Sequence, residues 1–350
     1  MIQTHAPHMG CSICHECSAD KTNSHIIPSF FLARVSSVDG SYRRGKELLY
    51  TIGESATRVH LGRSVIEEEW SDSFDYMSEE RVRELSQHSG ARDFVFCSQC
   101  ERKLGQYLES PWHDHIFKGR RTTPDVAYYF WVSILWRISF FEGINFRLPS
   151  HLEESLRESL WNYFRGKDLS SPSALQVKEP LFHYKVLYCK DFCKNYAGVI
   201  YYEYDKNGCA SLLLGDVAAC FSFAPDYSFN GLSFYGLEKA FQEAPVNDGS
   251  QQEAFVSIEA QTIDNAVMNI LQALQKVRQE ADVEKIMNTW EALRKRLPVL
   301  PERPSQSFIR FVIDLLYSES TKIGEAITPE YYASCFNNGL VLFYREYFIF

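Results

Sequence analysis

Cys11-Ser12-Ile13-Cys14-His15-Glu16-Cys17 near the start of the chain and Cys97-Ser98-Gln99-Cys100-Glu101 further along repeat one spacing, Cys-x-x-Cys. Each pair is a knuckle that aims two sulfurs at one point. Two knuckles supply four soft thiolates, which close a tetrahedral Zn²⁺ site at Cys11, Cys14, Cys97 and Cys100 and leave no position for water. Such a zinc is structural: it staples a small N-terminal unit. Cys17 and His15 are spare donors in the first knuckle, either of which could replace Cys14.

Around the knuckles, the 350 residues are enough for about two domains at roughly 150 residues each. Hydrophobic residues at 45% and charged residues at 23% exclude a disordered tail, and 25 Phe, 20 Tyr and 6 Trp point to a large aromatic core. With 36 Lys+Arg against 45 Asp+Glu the formal charge is −9, so any contact with a polyanion must be local. Arg43, Arg44, Lys118, Arg120 and Arg121 are the short basic clusters able to hold a phosphodiester backbone, or equally to be a solvated face. No charged-then-apolar leader opens the sequence, so a cytoplasmic location is expected, with its 10 cysteines as thiols or metal ligands rather than disulfides. The apolar run Val126 to Phe141 is shorter than the roughly 20 residues of a membrane span and contains Arg137, so it reads as a buried helix and no membrane partner is expected.

The expected fold class is α+β, with residues 1–122 as the zinc-binding unit, an insertion around 40–95, and residues 123–350 as a helical and antiparallel β-meander domain. Within the insertion, Glu47–Ile52 reads as a strand and Ser78–Gln87 as a short helix. After the second knuckle, Cys100 to Leu108 suits a helix that Pro111 stops. Helices follow at Pro124–Phe141 and His151–Phe164, with Ser150 as N-cap and Glu153 completing a capping box. Leu181–Tyr188, Ala197–Tyr204, Ala210–Leu214 and Val217–Phe223 are strands, with Lys206-Asn207-Gly208 as a hairpin turn. Gln261–Leu297 is a long helix whose stripe Ile263, Val267, Ile270, Leu274, Val277 and Ala281 faces either the core or an oligomer seam. Ser305–Tyr317 is a further helix, and the aromatic run Leu340–Phe350 reads as a buried strand.

Cys-x-x-Cys, then Ser24-His25-Ile26-Ile27-Pro28, then Cys-x-x-Cys-Glu resembles the zinc-ribbon branch of the HNH, or His-Me finger, nucleases. A fuller string, ending in Ser133-Ile134-Leu135-Trp136-Arg137, is similar to a group of uncharacterised bacterial proteins. The resemblance covers roughly the first 165 residues. It implies a zinc-stapled ββα-metal finger that hydrolyses phosphodiester bonds, with DNA as the expected substrate, in a setting such as bacterial anti-phage defence. It makes His25 the general base, and it places Ser24 and Glu101 at the two positions that hold a catalytic Mg²⁺ or Mn²⁺. There the family carries an acid and an Asn or His. Imidazole suits the role because it titrates near neutrality and can take a proton from a metal-held water. The expectation from the other class is a non-catalytic zinc-binding module that engages a protein partner or a second copy of itself. Two weaker constellations remain: Trp112-His113-Asp114-His115, either a turn or further ligands, and Cys189, Cys193 and His183, either buried groups or a second metal site.

Overall fold

The structure, a computed structural model, describes residues 10–21, 24–36, 47–52, 57–62, 91–92, 94–141, 146–167, 177–196, 198–323 and 329–348; for 36, 47–52, 57–62, 91–92, 278, 317–323, 329 and 348 it describes the backbone alone. Arg43, Arg44 and the expected helix at 78–87 lie outside these residues.

The first part of the chain is built from very short pieces. Strand β1 (Ser24–His25) is followed by α1 (Ser29–Ser36) and by the hairpin β2 (Glu47–Ile52) and β3 (Thr57–Gly62). Strand β4 (Ala91–Arg92) then pairs antiparallel with β1, placing His25 opposite Ala91. Next comes a helical run in three parts: α2 (Ser98–Lys103), a π-helical segment (Leu104–Glu109) and α3 (Ser110–Lys118). The sequence analysis expected Pro111 to end this helix. Instead Pro111 sits in the first turn of α3, directly after the wider π turn, where the amide N–H of Ser110 reaches back to Gly105 and a missing proline N–H costs least. Gly119, at φ +65°, is the true stop.

Helix α4 (Pro124–Phe141) is buried almost all round, so its lack of an amphipathic stripe reflects a central position in the core. Among the described residues no helix is long and apolar enough to cross a membrane. Helix α5 (Ser150–Gly166) follows, with Pro149 at the N-cap position and no side-chain cap. The capping box expected there does not form. Glu153 instead accepts from the Ser139 hydroxyl (2.6 Å), which itself accepts from the Leu148 amide (3.0 Å), tying α5 to the end of α4.

Strands β5 (His183–Tyr188), β6 (Val199–Tyr204), β7 (Cys209–Leu214) and β8 (Val217–Ser222) come next, with a one-turn helix α6 (Phe192–Asn195) between β5 and β6. Helix α7 (Glu238–Glu243) and β9 (Phe255–Ser257) complete this part. The result is a five-stranded mixed sheet ordered β6-β7-β8-β5-β9, which the β2–β3 hairpin extends at the β6 edge. The meander β6-β7-β8 follows local signals. Asp205 Oδ1 accepts from the amides of Asn207 and Cys209 (both 2.8 Å) around Gly208 at φ +81°, and Gly215 at φ +65° makes the second turn. Two features depart from the expectation of a purely antiparallel domain with a separate insertion. Strand β9 runs parallel to β5, and the insertion's hairpin joins this sheet through β3 and β6. Both pairings use up an exposed sheet edge, a demand no local spacing records.

One face of the sheet meets α4, where Trp131 lies against Phe221 (5.3 Å) and Tyr128 stacks on Phe182 (4.9 Å). On the opposite face Tyr201 meets Phe234 (6.2 Å), just before α7. The N-terminal part of the chain is clamped to the sheet by Arg34 of α1, whose guanidinium donates through Nε to Asp216 Oδ2 (2.6 Å) and also through NH2 to the same oxygen. Asp216 is fully buried and accepts as well from the Cys193 amide (2.6 Å). Replacing Asp216 with alanine is expected to cost about 3–5 kcal/mol, because it removes the buried carboxylate that faces the Arg34 charge. The midpoint of urea unfolding measures this, and a loss under about 1 kcal/mol would reduce the pair to the standing of a surface bridge.

Helix α8 (Ala260–Arg296) is followed by α9 (Gln306–Ile323), α10 (Pro329–Tyr344) and a 3₁₀ turn (Arg345–Phe348). Ile263, Val267, Ile270 and Leu274 are buried in the core that also holds the knuckles and the sheet, while Val277 is 47% exposed. The stripe is therefore core-facing over its first four positions, and this face of α8 is not an oligomer seam. The second half of α8 contributes Ile286 and Trp290 to a separate core with α9 and α10. The strand expected from Leu340 is instead the end of a helix. Tyr332, Phe336, Leu340 and Tyr344 recur every four residues and are buried, while Val341 and Leu342 are 65% and 61% exposed. Read from Leu340 onward, the aromatic run conceals a period set further upstream.

Candidate functional site

The sulfurs of Cys11, Cys14, Cys97 and Cys100 all lie within 4.8 Å of one another, and all four residues are buried. Their loops hold this arrangement through the backbone. In the first knuckle the His15 amide donates to the Cys11 carbonyl (2.9 Å) and the Cys11 amide to Cys17 (2.7 Å), with His15 at φ +55°. The two knuckles are laced together by Ser12 N–H to Val95 O (3.0 Å), Phe94 N–H to Lys21 O (2.7 Å) and Lys21 N–H to Phe96 O (3.1 Å). Asp20 accepts from the Ser98 amide (2.6 Å) at the start of α2, and this fixes Cys97 and Cys100 on the first turn.

A tetrahedral Zn²⁺ with bonds of about 2.3 Å to sulfur needs sulfurs about 3.8 Å apart, which this cluster allows. Its acid–base balance points the same way. The Cys11 thiol is pulled down to about 4, chiefly by a hydrogen bond from Cys100 and against the opposing effect of burial. Burial pushes Cys97 up to about 11, and Cys100 rises because its proton serves Cys11. Four thiolates brought this close together require a multivalent cation. The cluster is compatible with zinc in number, type and spacing of donors. Cys17 and His15, the spare donors, are both exposed, and neither belongs to the cluster.

Beside it, Ser24 of β1 lies near Glu101 on the first turn of α2, and His25 follows Ser24 in the same strand. Ser24 is fully buried and His25 half-buried. Burial pushes the Glu101 carboxyl above its usual range and Glu109 adds to the rise, while the Arg137 guanidinium and the Ser24 hydroxyl oppose it. The hydroxyl lies near enough to favour the carboxylate without a well-formed hydrogen bond. Ser24 Oγ and Glu101 Oε2 are both buried atoms without a hydrogen-bond partner among the described residues.

Arg137 organises this end. It is 1% exposed, and its guanidinium donates to the His25 carbonyl (3.0 Å), to Glu109 Oε1 (2.8 Å) and to the carbonyl (3.2 Å) and hydroxyl (3.3 Å) of Ser133. The two-residue strand that carries His25 is therefore held by a residue on α4, more than a hundred positions away in sequence. In the sequence Arg137 argues only against a membrane span and completes a resemblance. The signal that could have assigned it a role is its place as the lone charge in an apolar run, where a buried cation must have partners. Arg137→Met is expected to lower stability by about 3–5 kcal/mol, since it strips Glu109 of its partner, and Arg137→Lys by less. Urea denaturation of both variants checks this, and equal stability of wild type and Arg137→Met would contradict it.

The remaining candidates lie apart. Trp112 is buried, stacks on Phe130 at 4.0 Å, and donates from its indole to Glu253 (3.2 Å). His113 contacts Asp114 (3.2 Å), and His115 donates from Nδ1 to the Arg120 carbonyl (2.9 Å), with its Nε2 3.8 Å from Glu253. Lys118 and Arg120 both pair with Asp114, at 2.7 and 2.6 Å, and only Arg121 of this basic group is exposed without an ion pair among the described residues. Cys189 and Cys193 are buried thiols, and His183 stacks on Tyr227 (4.1 Å). Among the described residues the four-cysteine group is the one cluster of three or more such donors, so these three residues do not form a second metal site. No protein-family model, no curated protein and no solved structure matches the chain.

Proposed function

We propose that the protein is a metal-dependent nuclease of the HNH type, in which the cysteine cluster is a structural zinc site and the adjoining end of the finger carries the chemistry. The observation that bears most weight is the buried pair Ser24 Oγ and Glu101 Oε2, two oxygen donors next to the strand of His25 without hydrogen-bond partners among the described residues. Buried polar atoms are nearly always paired, so two together mark a place built for a further group. Hard oxygen donors of this kind fit Mg²⁺ or Mn²⁺. The order of elements agrees: two antiparallel strands, then a helix whose first turn bears Glu101 directly after Cys100.

In this reading Glu101 and Ser24 hold the divalent ion, which when bound supplies positive charge to the phosphate and its leaving oxygen. His25 takes the proton from the attacking water through its imidazole. Arg137 is a positioning residue: by holding the His25 carbonyl it fixes the strand from which that imidazole projects. DNA is the expected substrate, and Arg121 is the basic residue here most open to a phosphate.

The second reading is a non-catalytic zinc-binding module, and one observation favours it. The Arg137 charge beside Glu101 already offsets the carboxylate from within the protein. A cleavage assay on plasmid DNA and on RNA, with Mg²⁺ or Mn²⁺ and with chelator, separates the two. Metal-dependent nicking by the purified protein supports the nuclease, and the absence of cleavage of either substrate, with each metal and with cellular partners added, would leave the module.

A further inference from the structure

Lys185 lies on β5, on the face of the sheet that turns away from α4, and is 8% exposed. Its ammonium donates to the Phe241 carbonyl (2.7 Å) and the Gln242 carbonyl (3.4 Å) of α7 and stands 5.1 Å from the centre of the Phe229 ring. Among the described residues no carboxylate comes within ion-pair distance of it. A buried ammonium without a counter-ion is costly, and two carbonyls occupy two of its three N–H groups. Lys185 also lines a cavity of about 320 Å³ walled by Phe229, Asn230, Gly231, Glu238, Gln242 and Val246. That volume is at the lower end for small-molecule sites.

Glu238, which also lines the cavity, is fixed in place. Its Oε1 accepts from the amides of Phe234 (2.7 Å) and Gly236 (3.3 Å) and from the Ser233 hydroxyl (3.4 Å). The cavity is thus lined by an ammonium held by two carbonyls and a ring, with no carboxylate in ion-pair distance among the described residues, by a pinned carboxylate, and by Asn230 and Gln242. We infer that it binds a small metabolite bearing a carboxylate or phosphate, with the anionic head on Lys185 Nζ and a hydroxyl or ammonium directed to Glu238. Lysine suits this task because its ammonium is a compact point charge able to meet either anion. None of these residues belongs to the cysteine cluster or to the Ser24, His25 and Glu101 end, so the inference stands independently of the nuclease reading.

Thermal unfolding of the full-length, zinc-loaded protein tests it, with inorganic phosphate, ribose 5-phosphate, glutamate and citrate as probes, uncharged ribose as control, and ionic strength matched with chloride. At least one anion is expected to raise Tm by about 2–5 °C near saturation, with ribose inert. Whether phosphates or carboxylates do so identifies the head group. Lys185→Met keeps the length of the side chain without its charge and is expected to fold and to lose the response, while Lys178→Met, at an exposed lysine, keeps it. Should Lys185→Met fail to fold, Glu238→Gln is the second variant, expected to weaken ribose 5-phosphate or glutamate while sparing inorganic phosphate. No rise with any anion, or a rise that survives in Lys185→Met, overturns the inference and leaves Lys185 as a cap on the carbonyls of α7.

Discussion

Replacing Cys100 with serine is expected to remove the protein from the soluble fraction, and chelation of the wild-type protein to unfold its N-terminal unit. Cys100 is 1% exposed, and its partners Cys11, Cys14 and Cys97 are equally enclosed. The two knuckles are joined by only a few backbone hydrogen bonds, and the strands beside them are two residues long, which is too little structure to persist alone. Metal binding in such units is folding free energy, of about 10–16 kcal/mol in small zinc-finger peptides. Elemental analysis should find one zinc per chain. Cys17→Ser is the matched control: Cys17 is exposed and outside the cluster, so that variant should be soluble and keep its zinc. Soluble, stably folded Cys100→Ser protein, or wild-type protein without zinc, would refute the assignment of the cluster.

The second large effect concerns His25 and Glu101, whose loss should fail in different ways on the same fold. Neither side chain belongs to the cysteine cluster, so His25→Ala and Glu101→Gln are expected to remain soluble and zinc-loaded. Removing the base should slow cleavage by about 10²–10⁴-fold, the usual contribution of general acid–base catalysis, with little change in the concentration of Mg²⁺ or Mn²⁺ needed. Glu101→Gln keeps the volume beside Arg137 but loses the charge that attracts a cation, so it should raise the metal requirement and recover partly at high Mn²⁺. Metal titrations of the cleavage rate distinguish the two patterns. If both variants cut as wild type does, the chemistry lies elsewhere in the chain.

What the sequence determined by itself was carried by short spacing, though not every short-spacing signal was obeyed. The two Cys-x-x-Cys pairs, the Asn207-Gly208 hairpin, the buried α4 and the long α8 each follow from residues within a few positions of one another, where backbone geometry links sequence to structure. Ser24, His25 and Glu101 were legible as candidates because each adjoins or follows a knuckle. Tertiary structure decided whatever depends on distant partners. Arg137 holds His25 because α4 passes beneath β1, and nothing within the run Val126–Phe141 records that contact. Glu153 abandons its capping box because Ser139 lies within reach. Strand β9 and the β2–β3 hairpin find their places because a sheet edge must be covered, and Lys185 faces a cavity only once α7 folds over β5. The helix at Leu340 belongs to both classes: its period was present in the sequence from Tyr332, but burial of one side against Phe308 and Trp290 made that period decisive. Local pattern limits which elements can form, and the requirement that every buried face, charge and edge find a partner selects among them.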